Sequence, residues 1–361
     1  MNQRAVTIQA RQQGFTIVEI MIAMTLSLLL MAGILAVVAG SKITYLENER
    51  VARNQEGGRA AFEMILRDLR SAGFPGCAQP IAGLFSANNR LTNPTTLPWR
   101  FDVPVQGYEG SNGSWSPTLD AVLSGATPAP SSANDVIVVR TIRGGLPQFR
   151  TTQFTNPSDD IVIGKSAGQK VAGTTFVIND CGGESFFAST PSAADDAGTT
   201  ATLKLKTTGS EPINLTANLL ASFAKGAQVS PVDTVVYYIA PSATAAVKNS
   251  TAGPALWRIV GNANPEEVIP GVEKMEIQYG VDTDGDTVVN TYSNADTVDA
   301  ASNWSNVVSV RLAILVRSPE ANSPDVDKRT YTLLSKDVGP FNDHYERSLF
   351  TTTVALRNRT T

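Results

Sequence analysis

The 361-residue chain is short of the residues that do most enzymatic and metal chemistry. It has one histidine, two cysteines and only 17% charged residues, where about 25% is usual. With His344 as the sole imidazole, neither a multi-histidine metal centre nor an HExxH helix can be built. Two cysteines cannot make a cysteine-rich zinc site. The net charge of −4 gives no overall basic field, so no direct nucleic-acid partner is expected. Enzymes without histidine exist, so catalysis is disfavoured and not excluded. Against these shortages, 42% of the residues are hydrophobic, enough for a sizeable core. At roughly 150 residues per domain, the length fits two domains or one large β-rich domain with appendages.

The strongest feature is at the N-terminus. Residues Met1 to Gly14 contain Arg4 and Arg11 and no acid, and Phe15 to Gly40 is an apolar run of 26 residues with a single charge, Glu19. Such a run crosses a hydrocarbon core of about 30 Å as a helix. The two arginines predict that the leader stays cytoplasmic and the bulk of the chain is exported. A cleaved signal peptide, with Val37-Val38-Ala39 as its small-x-small site, calls for a shorter apolar region of about 7–15 residues. A plain membrane anchor fits the length but leaves Glu19 without a role, and a carboxylate in a spanning segment costs a few kcal/mol.

A third reading uses each oddity. Gly14-Phe15-Thr16-Ile17-Val18-Glu19, followed by about 20 apolar residues, resembles the processing site of type IV prepilins. The resemblance implies that a membrane prepilin peptidase cuts between Gly14 and Phe15 and that Phe15 becomes the N-methylated terminus. Glycine at the cut offers no side chain to obstruct a peptidase cleft. Glu19 then lies about one helical turn from a new positive amine. The family's assembly logic pairs this carboxylate with the terminal amine of a neighbouring subunit, an attraction strengthened by low dielectric. Removing Arg4 and Arg11 with the leader takes the net charge from −4 to −6.

The helix is expected to continue beyond the membrane, because no proline occurs between Phe15 and Phe74. Phe62, Ile65, Leu66 and Leu69 recur at i, i+3, i+4 and i+7, with Glu63, Arg67, Asp68 and Arg70 off that stripe. Gly73 supplies a stop and Pro75 follows it. Gly57-Gly58 weakens the middle by about 1 kcal/mol per glycine, which places a kink there. Where many major pilins carry a helix-breaking proline, this chain has Ala36.

From Ser86 to Asn134 the chain is rich in Asn, Ser, Pro, Gly and Thr, with Trp99, Phe101, Tyr108 and Trp115 among them. It reads as long loops with a few short strands, since those aromatics favour burial. Strands are expected at Asp135–Arg140, Thr234–Ala240 and Leu349–Leu356. In two further strands the alternation is clear. Met275, Ile277 and Tyr279 share a face, and Val308, Val310, Leu312, Ile314 and Val316 share another, opposite Ser309, Arg311, Ala313 and Arg317. A predominantly antiparallel sheet packed on the N-terminal helix follows, an α+β architecture.

Export puts Cys77 and Cys181 in an oxidising compartment, where a disulfide is the natural reading and two buried free thiols the alternative. Closing a loop of about 100 residues contributes up to roughly 4–5 kcal/mol in the chain-entropy account. Asp282, Asp284 and Asp286 alternate as in the first half of a calcium loop, but Thr287 stands where glycine belongs and Ser293 where a bidentate acid belongs. A full EF-hand is rejected. A weak calcium turn and a solvated acidic turn between strands remain, and no other cofactor is implied. His344 has acidic neighbours but no nucleophile nearby in sequence, and reads as a structural or surface residue.

The pieces Arg67-Asp68-Leu69-Arg70, Ala72-Gly73-Phe74, Gly76-Cys77, Asp180-Cys181, Leu256-Trp257-Arg258, Gly271-Val272-Glu273, Tyr279-Gly280 and the run Arg347 to Asn358 together resemble the PilW family of type IV pilus minor pilins. The resemblance implies a non-enzymatic, low-abundance subunit with a type IV pilin-like fold. Such a subunit joins other minor pilins and the major pilin, primes assembly at the pilus assembly platform and displays a large tip adhesin. It implies an inner-membrane single-pass protein with a periplasmic head, later carried to the cell surface in the pilus. The domain reading is a leader at 1–14, a transmembrane or filament-core helix at 15–40, an amphipathic helix at 41–73, a loop-rich segment at 74–134 and a β-rich head at 135–361. The J-type minor pseudopilin of type II secretion shares the processing site, and a membrane-tethered periplasmic enzyme is the alternative of a different class.

Overall fold

The computed structural model describes residues 14–73, 89–111, 113–142, 148–180, 182–191, 198–243, 253–321 and 323–359. Helix α1, Ile17–Arg70, is 54 residues long, about 80 Å at 1.5 Å per residue. The chain forms two compact units, Met1–Ala52 and Arg53–Thr361, so α1 contributes to both.

In the first unit the helix is apolar all round as far as Gly40, apart from Glu19. Phe15, Ile17, Val18, Met21, Met24, Leu28, Leu29, Leu30 and Val37 are all exposed, the pattern of a helix whose solvent is lipid. It is long and apolar enough to cross a membrane. The Thr25 hydroxyl donates back to the Ile22 carbonyl at 2.8 Å, satisfying within the helix a group that lipid cannot.

In the second unit the end of α1 packs on β-sheets. Strand β9, Gln228–Pro241, is the spine of the larger sheet. Its second half lies between β3, Val136–Ile142, and β10, Pro254–Val260. Beyond β3 comes β1, Val105–Ser111, which pairs with the short β2, Ser114–Ser116. The first half of β9 lies between β4, Phe149–Thr151, and β6, Thr175–Asp180. Strands β5 (Ile161–Gly164), β7 (Gly183–Ala188) and β8 (Thr200–Leu203) extend that end, and β11 (Glu266–Pro270) borders β10. All the pairings are antiparallel. The smaller sheet runs β13 (Thr291–Ser293), β12 (Val272–Val281), β14 (Val307–Arg317) and β17 (Arg347–Ala355). A hairpin of β15, Tyr331–Leu333, and β16, Lys336–Val338, completes the head. The architecture is α+β, with a long N-terminal apolar helix and a large antiparallel head.

One core joins these parts. Ala61, Ile65 and Leu69 of α1 cluster with Val105, Ile137, Val139, Val235, Tyr237 and Ile239 of the larger sheet. They also meet Met275, Ile277, Tyr279, Val310, Leu312, Ile314 and Val316 of the smaller one. The alternating faces expected on β12 and β14 are the ones buried there, except at Val308: the pairing slips beside Gly280 and Val281, leaves Val308 out of register and puts Val307 into this core in its place. The opposite face of β14 is less polar than its pattern suggested, because Ala313 and Leu315 pack with Tyr331 and Leu333 of the hairpin. A separate cluster of Phe149, Ile161, Ile163, Phe176, Phe187, Leu203 and Phe223 fills the lobe around the first half of β9.

Two details of α1 differ from the expectation. The helix continues uninterrupted through Gly57 and Gly58, and packing accounts for the glycines. A Cβ at Gly58 would overlap the ring of Phe350 on β17, whereas one at Gly57 meets Ile269 and Val316 at ordinary contact distances of 3.7 and 3.9 Å. Asp68, expected off the stripe, is buried against the head. The expected stop holds: Gly73 adopts a left-handed φ of 62° and donates its amide to the Arg140 carbonyl at 3.1 Å.

Candidate functional site

The start of α1 is built by local hydrogen bonding. Thr16 precedes the first helical residue and its Oγ1 accepts from the Glu19 amide at 3.2 Å, while Ile20 N donates to Thr16 O at 3.2 Å. Threonine followed three residues later by glutamate is the sequence signature of a capping box, a local signal that marks this helix start. It holds Glu19 in the first turn, where the unpaired amides of the helix start favour a carboxylate. Gly14, Phe15 and Glu19 are all exposed. Gly14 has no atom within 4 Å of where a side chain would begin.

At its other end, α1 is fastened to the head by polar groups inside an apolar seam. Tyr237 on β9 donates its hydroxyl to Asp68 Oδ2 at 2.6 Å. Burial, then the Asp68 charge and this hydrogen bond, push the Tyr237 hydroxyl well above its ordinary range. Asn54 Nδ2 donates to the Glu346 carbonyl at 3.0 Å, and Asn358 Nδ2 donates to the Ala72 carbonyl, just past the helix end, at 3.0 Å. The C-terminal run from Arg347 to Asn358 therefore lies along the helix end.

Arg347 itself is buried and shared by three carboxylates. Its Nε donates to Glu273 at 2.6 Å, its Nη1 to Asp343 and Asp327 at 2.6 and 3.1 Å, and its Nη2 to Asp343 at 2.7 Å. The guanidinium stacks 3.7 Å from the Phe341 ring centre. Hydrogen bonds from Arg347 hold the Asp343 carboxyl below its ordinary range. The motif pieces Gly271-Val272-Glu273 and Arg347-Ser348-Leu349 thus meet in one ion-pair network, which sequence spacing could not reveal. His344 is exposed, with Nδ1 2.8 Å from the Ser323 carbonyl, in keeping with a surface role.

The structure brings Asp282, Asp284 and Asp286 together, with one oxygen of each within 4.8 Å of the others. The turn is closed by its own amides: Asp282 accepts from Asp284, Gly285 and Thr287 at 3.2, 2.7 and 2.8 Å. Thr287, in the place of the usual glycine, has a φ of 67°. Cys77 and Cys181 lie outside the described residues, as does the leader up to Gln13.

Residues 236–358 match the PilW family, described as type IV pilus-assembly protein W. Residues 9–35 match the prokaryotic N-terminal methylation motif. No curated protein and no solved structure matches the chain. The first match spans the second half of β9, the smaller sheet and the Arg347 network. The second spans the expected cleavage site and the capped start of α1.

Proposed function

We propose, from the premise that this chain is a PilW-type minor pilin of type IV pili with a prepilin methylation motif, that it is cleaved after Gly14 and methylated on Phe15. It then enters the filament through the apolar part of α1. The chain is a single-pass inner-membrane protein with a periplasmic head, destined for the pilus. The observation that carries the proposal is Glu19, held by the Thr16 cap in the first turn of a helix whose stretch up to Gly40 is otherwise apolar on every side. A lone carboxylate there is costly in lipid. A neighbouring subunit's terminal amine offsets that cost during transfer from bilayer to filament, when helix–helix packing replaces lipid contacts. The role is structural: the subunit primes assembly with other minor pilins and the major pilin on the assembly platform, and supports a tip adhesin and twitching motility.

The test is mass spectrometry of the intact chain and its N-terminal peptide, from membranes and from sheared surface filaments. A chain beginning at N-methylated Phe15 in both fractions is expected. Glu19→Ala should keep that terminus in membranes but deplete the chain from the sheared fraction by at least about tenfold, the equivalent of 1.4 kcal/mol. The processed terminus confined to membranes in the native chain would move the reading to the secretion pseudopilin. A chain beginning at Met1 or Gly40 would overturn it.

A further inference from the structure

The smaller sheet ends on β17, and hydrogen bonding fixes which side of that strand is free. Leu356 N donates to Val308 O at 2.8 Å, and Ser318 N donates to Glu346 O at 2.8 Å. Between these bonds β17 pairs with β14 in unbroken antiparallel register, from Arg347 opposite Arg317 to Ala355 opposite Ser309. Alternation along an antiparallel ladder then turns the amides and carbonyls of Ser348, Phe350, Thr352 and Val354 towards β14. Those of Leu349, Thr351, Thr353 and Ala355 point the other way, where they have no hydrogen-bond partner among the described residues. All four of these residues are exposed. After β17 the chain does not return along this edge: it coils at Arg357–Arg359, with Asn358 held at the Ala72 carbonyl.

An open edge is a template for another strand, and proteins guard their edges with short strands, charges, prolines or bulges. The other edge strands of the head follow that rule. Strands β2 and β13 are three residues long and β8 is four. Strand β11 carries Glu266 and Glu267, ends on Pro270 and pairs with β10 across a slip in register. Strand β7 is bridged at Phe186 by Asn89, and Arg90 N donates to the Phe186 carbonyl at 3.0 Å. Strand β17 has none of these devices. It is nine residues long, has no proline and no bulge, and is uncharged from Ser348 to Ala355. Its one charge, Arg347, is buried among its carboxylate partners.

The ground beside this edge is apolar. Phe350 reaches across to α1, where its ring meets that of Phe62 edge-on, 6.2 Å between centres. The helical repeat puts Leu66, one turn later, on the same flank of α1 as Phe62. Phe62, Leu66 and Phe350 pack on the main core but are only partly buried by it. A strand laid beside β17 places alternate side chains over this apolar floor. Its other side chains lie beside Leu349, Thr351 and Thr353 and face solvent.

We propose that the outer edge of β17 takes up an extended strand of a different polypeptide, antiparallel and alternating apolar with polar residues. A backbone strand is the occupant that matches a row of free amides and carbonyls, while the floor selects its side chains. Antiparallel is the sense of each strand pairing in both sheets. A second copy of this chain does not fit. Glu346 lies by Asn54 and Asn358 by Ala72, so β17 runs in the same direction as the end of α1. Two copies joined antiparallel through β17 would hold those helix ends in opposite directions, which chains inserted in one membrane by α1 do not allow. The head thus has its own means of holding a partner, independent of the packing of apolar helices and of cleavage at Gly14.

The experiment uses the full chain in detergent, with hydrogen exchange read at single residues. The probe is the synthetic peptide Lys-Val-Thr-Val-Thr-Val-Thr-Val-Lys, with valine for the apolar floor and threonine for the solvent side. In the free chain the amides of Phe350, Thr352 and Val354 should be protected, and those of Leu349, Thr351 and Thr353 should exchange freely. Saturating peptide should slow the second set by at least about tenfold and leave the first unchanged. Directly opposed residues share a face, so the threonine amides of the peptide are the ones that meet β17. N-methylation of the peptide at threonine should abolish the protection, and N-methylation at valine should not. Thr353→Pro removes an amide that β14 does not use, so this variant should unfold near the wild-type midpoint and lose the peptide response. The proposal is overturned if the outward amides are already protected in the dilute free chain, or if the peptide protects none of them. Protection that survives Thr353→Pro or threonine N-methylation overturns it as well. Protection that grows with chain concentration in the absence of peptide would make the occupant a second copy and overturn it too.

Discussion

The two parts of helix α1 obey different solvents. From Phe15 to Gly40 its side chains are exposed on every face, and Gly33 and Gly40 have no atom within 4 Å of where a side chain would begin. From Asn54 to Leu69 only one side is buried, and that side is not simply apolar: it reads Asn54, Gly58, Ala61, Ile65, Asp68, Leu69. The first pattern is that of a helix surrounded by lipid, so bulk hydrophobicity is enough. The second is set by a fixed partner surface, so each position answers to one neighbour. Gly58 makes room for Phe350, and Asp68 accepts the Tyr237 hydroxyl. A helix face that docks on a preformed sheet is specified by shape and by single polar pairs, which a hydrophobic stripe alone does not reveal.

The sharpest way to break this comparison is to place the same substitution in both parts. Gly58→Leu should lower the stability of the head by about 1–3 kcal/mol, because the new side chain must displace the Phe350 ring. Gly33→Leu should leave the unfolding midpoint of the detergent-solubilised chain unchanged, since nothing faces it there. Equal effects at the two sites, read by thermal unfolding, would end the distinction. Gly57→Ala sharpens it within one turn. Its neighbours allow a methyl group, so it should stabilise by up to about 1 kcal/mol through helix propensity.

The polar pair in the packed part gives an effect of intermediate size. Asp68→Ala leaves the buried Tyr237 hydroxyl without its acceptor and should cost about 1–2 kcal/mol, read by denaturant unfolding, whereas the mass of the N-terminal peptide should be unaffected.

The smallest effect is a pH dependence. The Tyr237 hydroxyl holds its proton more tightly in the folded chain than in the unfolded one, where it ionises near its ordinary value of about 10. Below that value the two states bind equal numbers of protons at this group. Above it the unfolded chain loses the proton first, so stability falls as pH rises past about 10. Tyr237→Phe should reduce the slope of stability against pH by one proton in that window, measured by denaturant unfolding at pH 9 to 11. An unchanged slope would mean that burial and Asp68 do not hold the proton on this hydroxyl.

Much of the architecture was legible because it rests on short periods. The apolar run, the Gly73 stop and the alternation in β12 and β14 each follow from neighbours within a few residues. The elements they mark appear at Ile17–Arg70, Val272–Val281 and Val307–Arg317. The loop-rich stretch before Asn134 was harder. Tyr108 lies in β1, which enters the larger sheet only by pairing with β3 across some 30 residues. The lobe around the first half of β9 was not marked at all. Its strands are three to six residues long apart from β9, too short for a period to emerge.

The sequence by itself determined the terminus of this protein: a glycine, a threonine cap, a glutamate and an uninterrupted apolar helix. Their chemistry depends on covalent order and on one helical turn. Only the tertiary structure decided that Asp68 faces inward, that Gly58 is a seat for Phe350 and that Glu273 and Arg347 form one network. It alone left the outer edge of β17 open beside Phe62 and Phe350. Contacts across tens to hundreds of residues are fixed by how sheets twist and stack, and a polar residue shows in sequence only its type, not the partner that makes its burial favourable.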